Sequence, residues 1–199
     1  MIQYQETEHI QFLTCQVGKV GSAYCGDSFF TCADEHRFVC VVADGLGSGQ
    51  AARESSEIIC QTVKQYQQET VHEIFKQCHK KLKGKRGATV GILKVDFVDK
   101  TITYGSVGNV CFILYLPSGE YIYPIPTAGY LPGKMKKYRI RTFSYEKGSK
   151  FIIHTDGLYA SNIKTALKDH SSIHEIAKGF NKFLSDRTDD LTYIIGQLF

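Results

Sequence analysis

Three acidic stretches stand out in the 199 residues. VVADGL (41–46) and IIHTDGL (152–158) each end an apolar run in Asp-Gly-Leu, and DDLTYII (189–195) sets two aspartates directly before an apolar run. A buried strand that ends in a carboxylate delivers it to the rim of the core on stiff backbone. The following glycine lets the chain bend sharply and brings a backbone carbonyl close. Asp27, in the turn CGDS, is a further candidate. Carboxylates gathered at one edge repel one another unless a cation sits among them. Oxygen ligands without His or Cys at metal spacing suit a hard ion, Mg²⁺ or Mn²⁺.

Plainer readings compete. Asp-Gly is an ordinary turn pair, and one such pair after a strand signals nothing more. The loop GLGSG after Asp44 could cradle a nucleotide phosphate. It lacks the full dinucleotide fingerprint, two helical stretches follow it where one helix and a strand are needed, and no G-x-x-x-x-G-K-[ST] occurs. Cys25 lies beside Asp27 but has no C-x₅-R loop around it, which argues against a cysteine nucleophile. The seven cysteines are odd in number and form no C-x-x-C, so reduced, mostly buried thiols are expected.

The elements that must position these residues follow from periodicity. HIQFLTCQV (9–17), FFTCA (29–33) and RFVCVVAD (37–44) read as strands, the last apolar on both faces. From Gln50 to about Leu82 the pattern is helical. It divides into two helices near Gln67–Thr70, with Thr70 and Glu73 at capping-box spacing. Strands return at 88–98 and 101–116, with Asp99-Lys100 as a tight hairpin, and continue at 119–125, 137–145 and 150–156. A helical stretch over 161–184, broken near 168–172, precedes a terminal strand from DDLTYIIGQLF. This segregated order predicts an α+β fold in a single domain, 1–199.

Composition is 43% hydrophobic and 12% aromatic, as in a folded globular protein, and the formal charge is +4. Basic residues gather at KKLKGKR (80–86) and GKMKKYRIR (133–141), but no nucleic-acid reader motif accompanies them, so no nucleic-acid partner is expected. No apolar run is long enough to cross a membrane and the N-terminus lacks a secretion-signal layout, so a cytoplasmic protein without membrane contact is expected. A monomer is the expected state.

Asp27 in CGDS, VADGLGSG within 41–49, RGAT (86–89), Gly108-Asn109, HTDGL (154–158) and DDLT (189–192) resemble, in order, the motifs of PPM/PP2C-type protein phosphatases. The resemblance spans nearly the whole chain and is closest to the bacterial SpoIIE-like branch. Within that branch SFF, RGAT, SVGNV and YEKGSKFIIHTDGL resemble the small feedback phosphatases of the stressosome. The resemblance implies a four-layer α-β-β-α sandwich of two mostly antiparallel sheets, with two Mn²⁺ or Mg²⁺ ions at one edge. It implies that Asp44 bridges both ions, that Gly45 gives a backbone carbonyl to one, that Asp156 and Asp189 complete the other, and that Asp27 orients the attacking water. Asn109 stands where some relatives carry a third-metal aspartate, and Asp190 where the family often has Asn; both are supporting candidates. Leu46 replaces the His that many relatives place after the first Asp-Gly. No Arg near Ser22 matches the family's phosphate-gripping residue, for which Lys19 or Arg86 could substitute. His154 is expected to be a packed, satisfied histidine. The implied activity is hydrolysis of phosphoserine and phosphothreonine. The implied partners are phosphorylated STAS-domain proteins of the stressosome, RsbS and RsbR, in negative feedback on sigma-B stress signalling. The contrasting readings are a phosphatase-like binding module without turnover and a nucleotide-binding regulator.

Overall fold

The computed structural model describes residues 2–132, 138–158, 162–169, 172–185 and 188–199. In chain order the elements are β1 (Ile2–Glu6), β2 (Ile10–Val17), β3 (Asp27–Ala33), β4 (Arg37–Gly45), α1 (Gln50–Gln65), α2 (Val71–Lys81), β5 (Ala88–Asp96), β6 (Thr101–Val107), β7 (Cys111–Tyr115), β8 (Tyr121–Ile122), β9 (Ile140–Ser144), β10 (Lys150–His154), α3 (Ile163–Asp169), α4 (Ile173–Phe180) and β11 (Leu191–Leu198). The strands form a six-stranded sheet, β1-β2-β11-β10-β7-β8, and a five-stranded sheet, β3-β4-β5-β6-β9. Every strand pair in both sheets is antiparallel.

Side-chain alternation along the strands builds the layers. On β4, Phe38, Cys40 and Val42 enter the core between the sheets, while Val39, Val41 and Ala43 pack with Ile59 and Val63 of α1 and Ile74 and Phe75 of α2. On β11, Ile194 and Leu198 face the other sheet, and Leu191, Tyr193 and Ile195 pack with α3 and α4. Both sheets are thus covered on both faces, which is why their strands are apolar almost throughout. The expected four-layer α-β-β-α sandwich is the architecture found. Gly91 lets the sheets approach, since a Cβ there would stand 2.6 Å from Val110 Cγ1.

The helices start where the capping pattern places them. Thr70 Oγ1 accepts the Glu73 N–H at 3.2 Å, satisfying a donor that the first turn of α2 leaves open. Ser172 does the same for Glu175 in α4.

Four expectations need correction. The run 101–116 is not one strand: it breaks at Gly108–Val110, where Gly108 adopts φ +99, and β7 continues in the opposite sheet. Its two halves look alike in sequence because each is buried on both faces. The strand expected at 119–125 shrinks to Tyr121–Ile122, because Pro124 and Pro126 remove ladder donors. The hairpin after β5 is a four-residue loop, 97–100, whose turn is held by Asp96 Oδ1 accepting the amides of Val98 and Asp99 at 2.9 Å each. β1 was not expected at all; its five residues are exposed, and Ile2 and Tyr4 alternate with glutamines over a run too short to mark a strand. Residues 133–137 of the second basic run, residue 161 at the start of the last helical stretch, and residues 170 and 171 of its predicted break lie outside the described residues. Among the described residues no helix is long and apolar enough to cross a membrane.

Candidate functional site

The acidic candidates meet at one end of the sandwich, because antiparallel pairing brings strand ends and strand starts to the same rim. Asp27 opens β3 and is the cross-strand partner of Asp44 near the end of β4. His154 closes β10 opposite Tyr193 near the start of β11, so Asp156 and Asp189-Asp190 flank one corner of the other sheet. Asn109 comes from the β6–β7 crossover between the sheets.

Hydrogen bonds tie the two sheets together here. The Thr155 hydroxyl donates to Asp27 Oδ2 at 2.9 Å, crossing from the six-stranded sheet to the five-stranded one. Thr155 is itself held by its N–H to Thr192 O and by the Thr192 N–H to its hydroxyl, both 3.0 Å. Asn109 Nδ2 donates to Asp156 Oδ2 at 2.5 Å, and Asn109 Oδ1 accepts from Thr89 Oγ1 at 2.6 Å. Thr89 is the cross-strand partner of Asp44, so Asn109 is set between Asp44 and Asp156. Asp190 is buried, and its two oxygens accept the backbone N–H groups of Lys19 at 2.8 Å and Gly26 at 2.6 Å. Asp189 is exposed and accepts the Asp190 N–H at 2.9 Å.

The electrostatics are those of crowded carboxylates. Burial, and then Asp156, Asp189 and Asp190, push Asp44 up to about 7, against a hydrogen bond from Asn109. Burial and then the Asp44 charge raise Asp27 well above the usual carboxylate range, although the Thr155 hydroxyl bonds to it. Among the described residues no ion pair involves any of these five aspartates. A group of acids this close, with no ion pair to them among the described residues, suits a divalent metal. As the side chains stand, no three Asp, Glu, His or Cys among the described residues close around a single cation-sized point; the oxygens line an edge.

The glycines of the two Asp-Gly pairs are there for contact. A Cβ on Gly45 would stand 1.9 Å from Ala52 O in α1, and one on Gly157 would stand 2.0 Å from Asp190 O. Gly45 N also donates to Gly26 O at 3.1 Å, so the loop after Asp44, the start of α1 and the turn before Asp27 are packed backbone to backbone.

The other candidates divide. Arg86 Nη1 donates to Ser48 O at 3.1 Å and lies over Gly47, which puts it on the loop after Asp44. Lys19 reaches the site through its backbone N–H to Asp190. His154 is buried with Nδ1 2.8 Å from Thr155 O, and burial lowers its proton affinity, as expected of a packed histidine. Leu46 is half-buried and brings no proton donor. Burial, then Asp27 and Asp190, push the Cys25 thiol up to about 12, so it is not a thiolate at neutral pH. Sequence reasoning missed Thr155 and Thr89. Both lie inside quoted motifs, HTDGL and RGAT, but only the fold shows which acids they hold.

The family model for Stage II sporulation protein E (SpoIIE) matches residues 34–197. The phosphoserine phosphatase RsbX of Bacillus subtilis (strain 168) is 53% identical over 198 residues, covering 100% of both chains. This chain belongs to the SpoIIE family. The SpoIIE family is a PP2C-type phosphatase family, and this member is an enzyme of that type. The crystal structure of RsbX in complex with magnesium superposes on it with a TM-score of 0.98 at 53% identity, over 100% of both chains. A structure of the bacterial stressosome, a modular system adapted to control secondary messenger signalling, contains a chain that matches with a TM-score of 0.87 at 26% identity, covering 96% of this chain and 100% of that one. The PP2C phosphatase domain of SpoIIE from Bacillus subtilis shares the fold, with a TM-score of 0.80 at 14% identity over 98% of this chain and 62% of that one.

Proposed function

We propose that this SpoIIE-family phosphatase hydrolyses phosphoserine and phosphothreonine on proteins, using two Mg²⁺ or Mn²⁺ ions held by Asp44, the Gly45 carbonyl, Asp156 and Asp189. Its substrates are the phosphorylated STAS-domain proteins of the stressosome, RsbS and RsbR, and their dephosphorylation gives negative feedback on sigma-B general stress signalling. It works in the cytosol as a monomer of one domain. The observation that carries the reading is the meeting of Asp44, Asp156, Asp189 and Asp190 at one rim, where burial and then the three neighbouring acids raise the proton affinity of Asp44. The full-length similarity to a phosphoserine phosphatase, and the stressosome structure among the relatives, support the substrate class.

When bound, the ions supply water that ionises near neutral pH and offset charge on the phosphoryl oxygens. The chain's own residues do the rest. Asp44 stands one residue before the end of β4, on rigid strand between Asp27 and Thr89 of the neighbouring strands. Asp27, fixed by Thr155, orients the attacking water. Asn109 holds Asp156 in place, and Asp190 holds the turn that carries Asp27. Leu46 offers no proton to the leaving group, which takes it from water.

The test is phosphate release from phosphorylated RsbS with Mn²⁺, with EDTA, and with Asp44→Asn. The reading expects stimulation by Mn²⁺, silence in EDTA, and loss of about 100-fold or more in the variant, the scale of several kcal/mol of transition-state stabilisation. An unstimulated rate that the variant matches would contradict it.

A further inference from the structure

The strand that brings Asp27 to the rim is also an edge of its sheet. Each sheet has two edges, β1 and β8 in one and β3 and β9 in the other, and of these four it is β3 that contributes an acid to the rim. Which of its backbone groups face outward follows from the ladder. Gly45 N donates to Gly26 O just before β3, and Asp34 N donates to Arg37 O just after it. Antiparallel partners alternate between hydrogen-bonded and non-hydrogen-bonded pairs. Ser28, Phe30 and Cys32 therefore turn their N–H and C=O groups to β4, and Asp27, Phe29, Thr31 and Ala33 turn theirs outward. The outward carbonyl of Asp27 is met from that side by Gln16 Nε2 at 2.8 Å. Among the described residues nothing bonds to the outward groups of Phe29, Thr31 and Ala33.

An open edge is ordinarily blunted by a charge, a proline or a bulge. Past Asp27 this one has none of them: the residues are SFFTCA, half-buried from Phe29 on, and their register with β4 is unbroken. Beside the edge lies a cavity of about 310 Å³, between Gln16 of β2, Phe29 of β3, and Arg53, Glu57, Cys60 and Gln61 of α1. Arg53 Nε donates to Glu57 Oε1 at 2.7 Å, so these two charges satisfy each other, and the other walls are amide, thiol and ring. A groove of that kind along unpaired N–H and C=O groups suits an extended polypeptide, whose backbone completes the ladder while alternate side chains enter the cavity. An added strand lies about 4.8 Å from β3, so its residue opposite Asp27 stands beside the rim.

We propose that an extended segment of the phosphoprotein substrate adds to β3 as a further strand, bonded to Phe29, Thr31 and Ala33 with a side chain in the cavity, and that this strand leads the phosphoresidue onto the rim at Asp27. The proposal rests on the phosphoprotein-phosphatase reading and supplies what distinguishes a protein substrate from a small phosphate ester at that site.

The test follows amide hydrogen exchange by NMR in the full Asp44→Asn chain, free and with saturating phosphorylated RsbS. In the free chain the Phe29 and Thr31 amides should exchange at loop rates while those of Phe30 and Cys32 are protected. With RsbS the first two should slow about tenfold or more, as the binding free energy of the complex is added to their opening. Edge amides already protected in the free chain, or still fast with RsbS present, would overturn the proposal. So would protection that grows with the concentration of the chain alone, since it would assign the edge to a second copy. Thr31→Pro removes one outward N–H and leaves the β4 ladder its donors. It should lower kcat/KM for phosphorylated RsbS about fivefold or more relative to that for p-nitrophenyl phosphate, the worth of one ladder bond. An unchanged ratio in the folded variant would also overturn the proposal. A chain that hydrolyses p-nitrophenyl phosphate with Mn²⁺ but shows no edge protection loses the docking strand alone; one that hydrolyses neither substrate contradicts the phosphatase reading itself.

Discussion

Asp190 accepts the Gly26 N–H at 2.6 Å, joining the turn before the five-stranded sheet to the residue that leads into β11 of the six-stranded sheet. The same peptide unit's neighbour, Gly26 O, accepts the Gly45 N–H at 3.1 Å. One buried carboxylate therefore fixes, in series, the segments that carry Asp27, Asp44 and Asp189.

That arrangement makes Asp190→Asn informative. A carboxylate accepts the Gly26 and Lys19 amides with separate oxygens; an amide has one oxygen and turns an NH₂ toward the second donor. Denaturant unfolding should show a loss of about 1–3 kcal/mol for a buried donor left unmet. The phosphatase rate should fall with it, because the turn carrying Asp27 loosens.

Asp44 makes the metal-free protein sensitive to pH. Its folded value of about 7 lies above the unfolded value near 3.8. Between those values the folded state binds more protons than the unfolded one, so stability falls as pH rises from about 4 to 7. Asp44→Asn removes the penalty. In EDTA at pH 8 its Tm should exceed that of the parent, by about 2–4 °C for each kcal/mol relieved in a domain of this size. Added Mn²⁺ should raise the parent's Tm and leave the variant's nearly unchanged.

Glycine substitutions should separate close packing from helix propensity. Gly45→Ala drives a Cβ to 1.9 Å from Ala52 O and Gly157→Ala drives one to 2.0 Å from Asp190 O, so each should cost about 1–3 kcal/mol and impair activity. Gly179, inside α4, has nothing within 4 Å of its Cβ position. Gly179→Ala should stabilise by about 0.5–1 kcal/mol without touching the rate. Urea unfolding of the three variants, beside their rates, checks the contrast.

Cys25 provides the check on covalent chemistry. With its thiol pushed up to about 12, it should resist iodoacetamide at pH 7.5, and Cys25→Ser should keep most of the phosphatase rate. A dead but folded Cys25→Ser protein would restore the cysteine-nucleophile reading.

Much of this was legible before the fold. β4 and β11 announce themselves by apolar runs abutting acids, and Thr70 with Glu73 marks the start of α2, because these signals are local. The chain crossing between sheets at Gly108–Val110 was not legible, since apolar strands on either side of a turn carry no label for the sheet they join. The roles of Thr155, Thr89 and Asp190 were hidden for a related reason: Asp190 and Gly26 lie 164 positions apart, and only strand order makes them neighbours.

The most direct test of the metal reading is anomalous scattering from a crystal soaked in Mn²⁺. Two peaks should appear at the rim, with oxygens of Asp44, Asp156 and Asp189 turned inward around them. A rim with no anomalous peak at saturating Mn²⁺ would contradict the account.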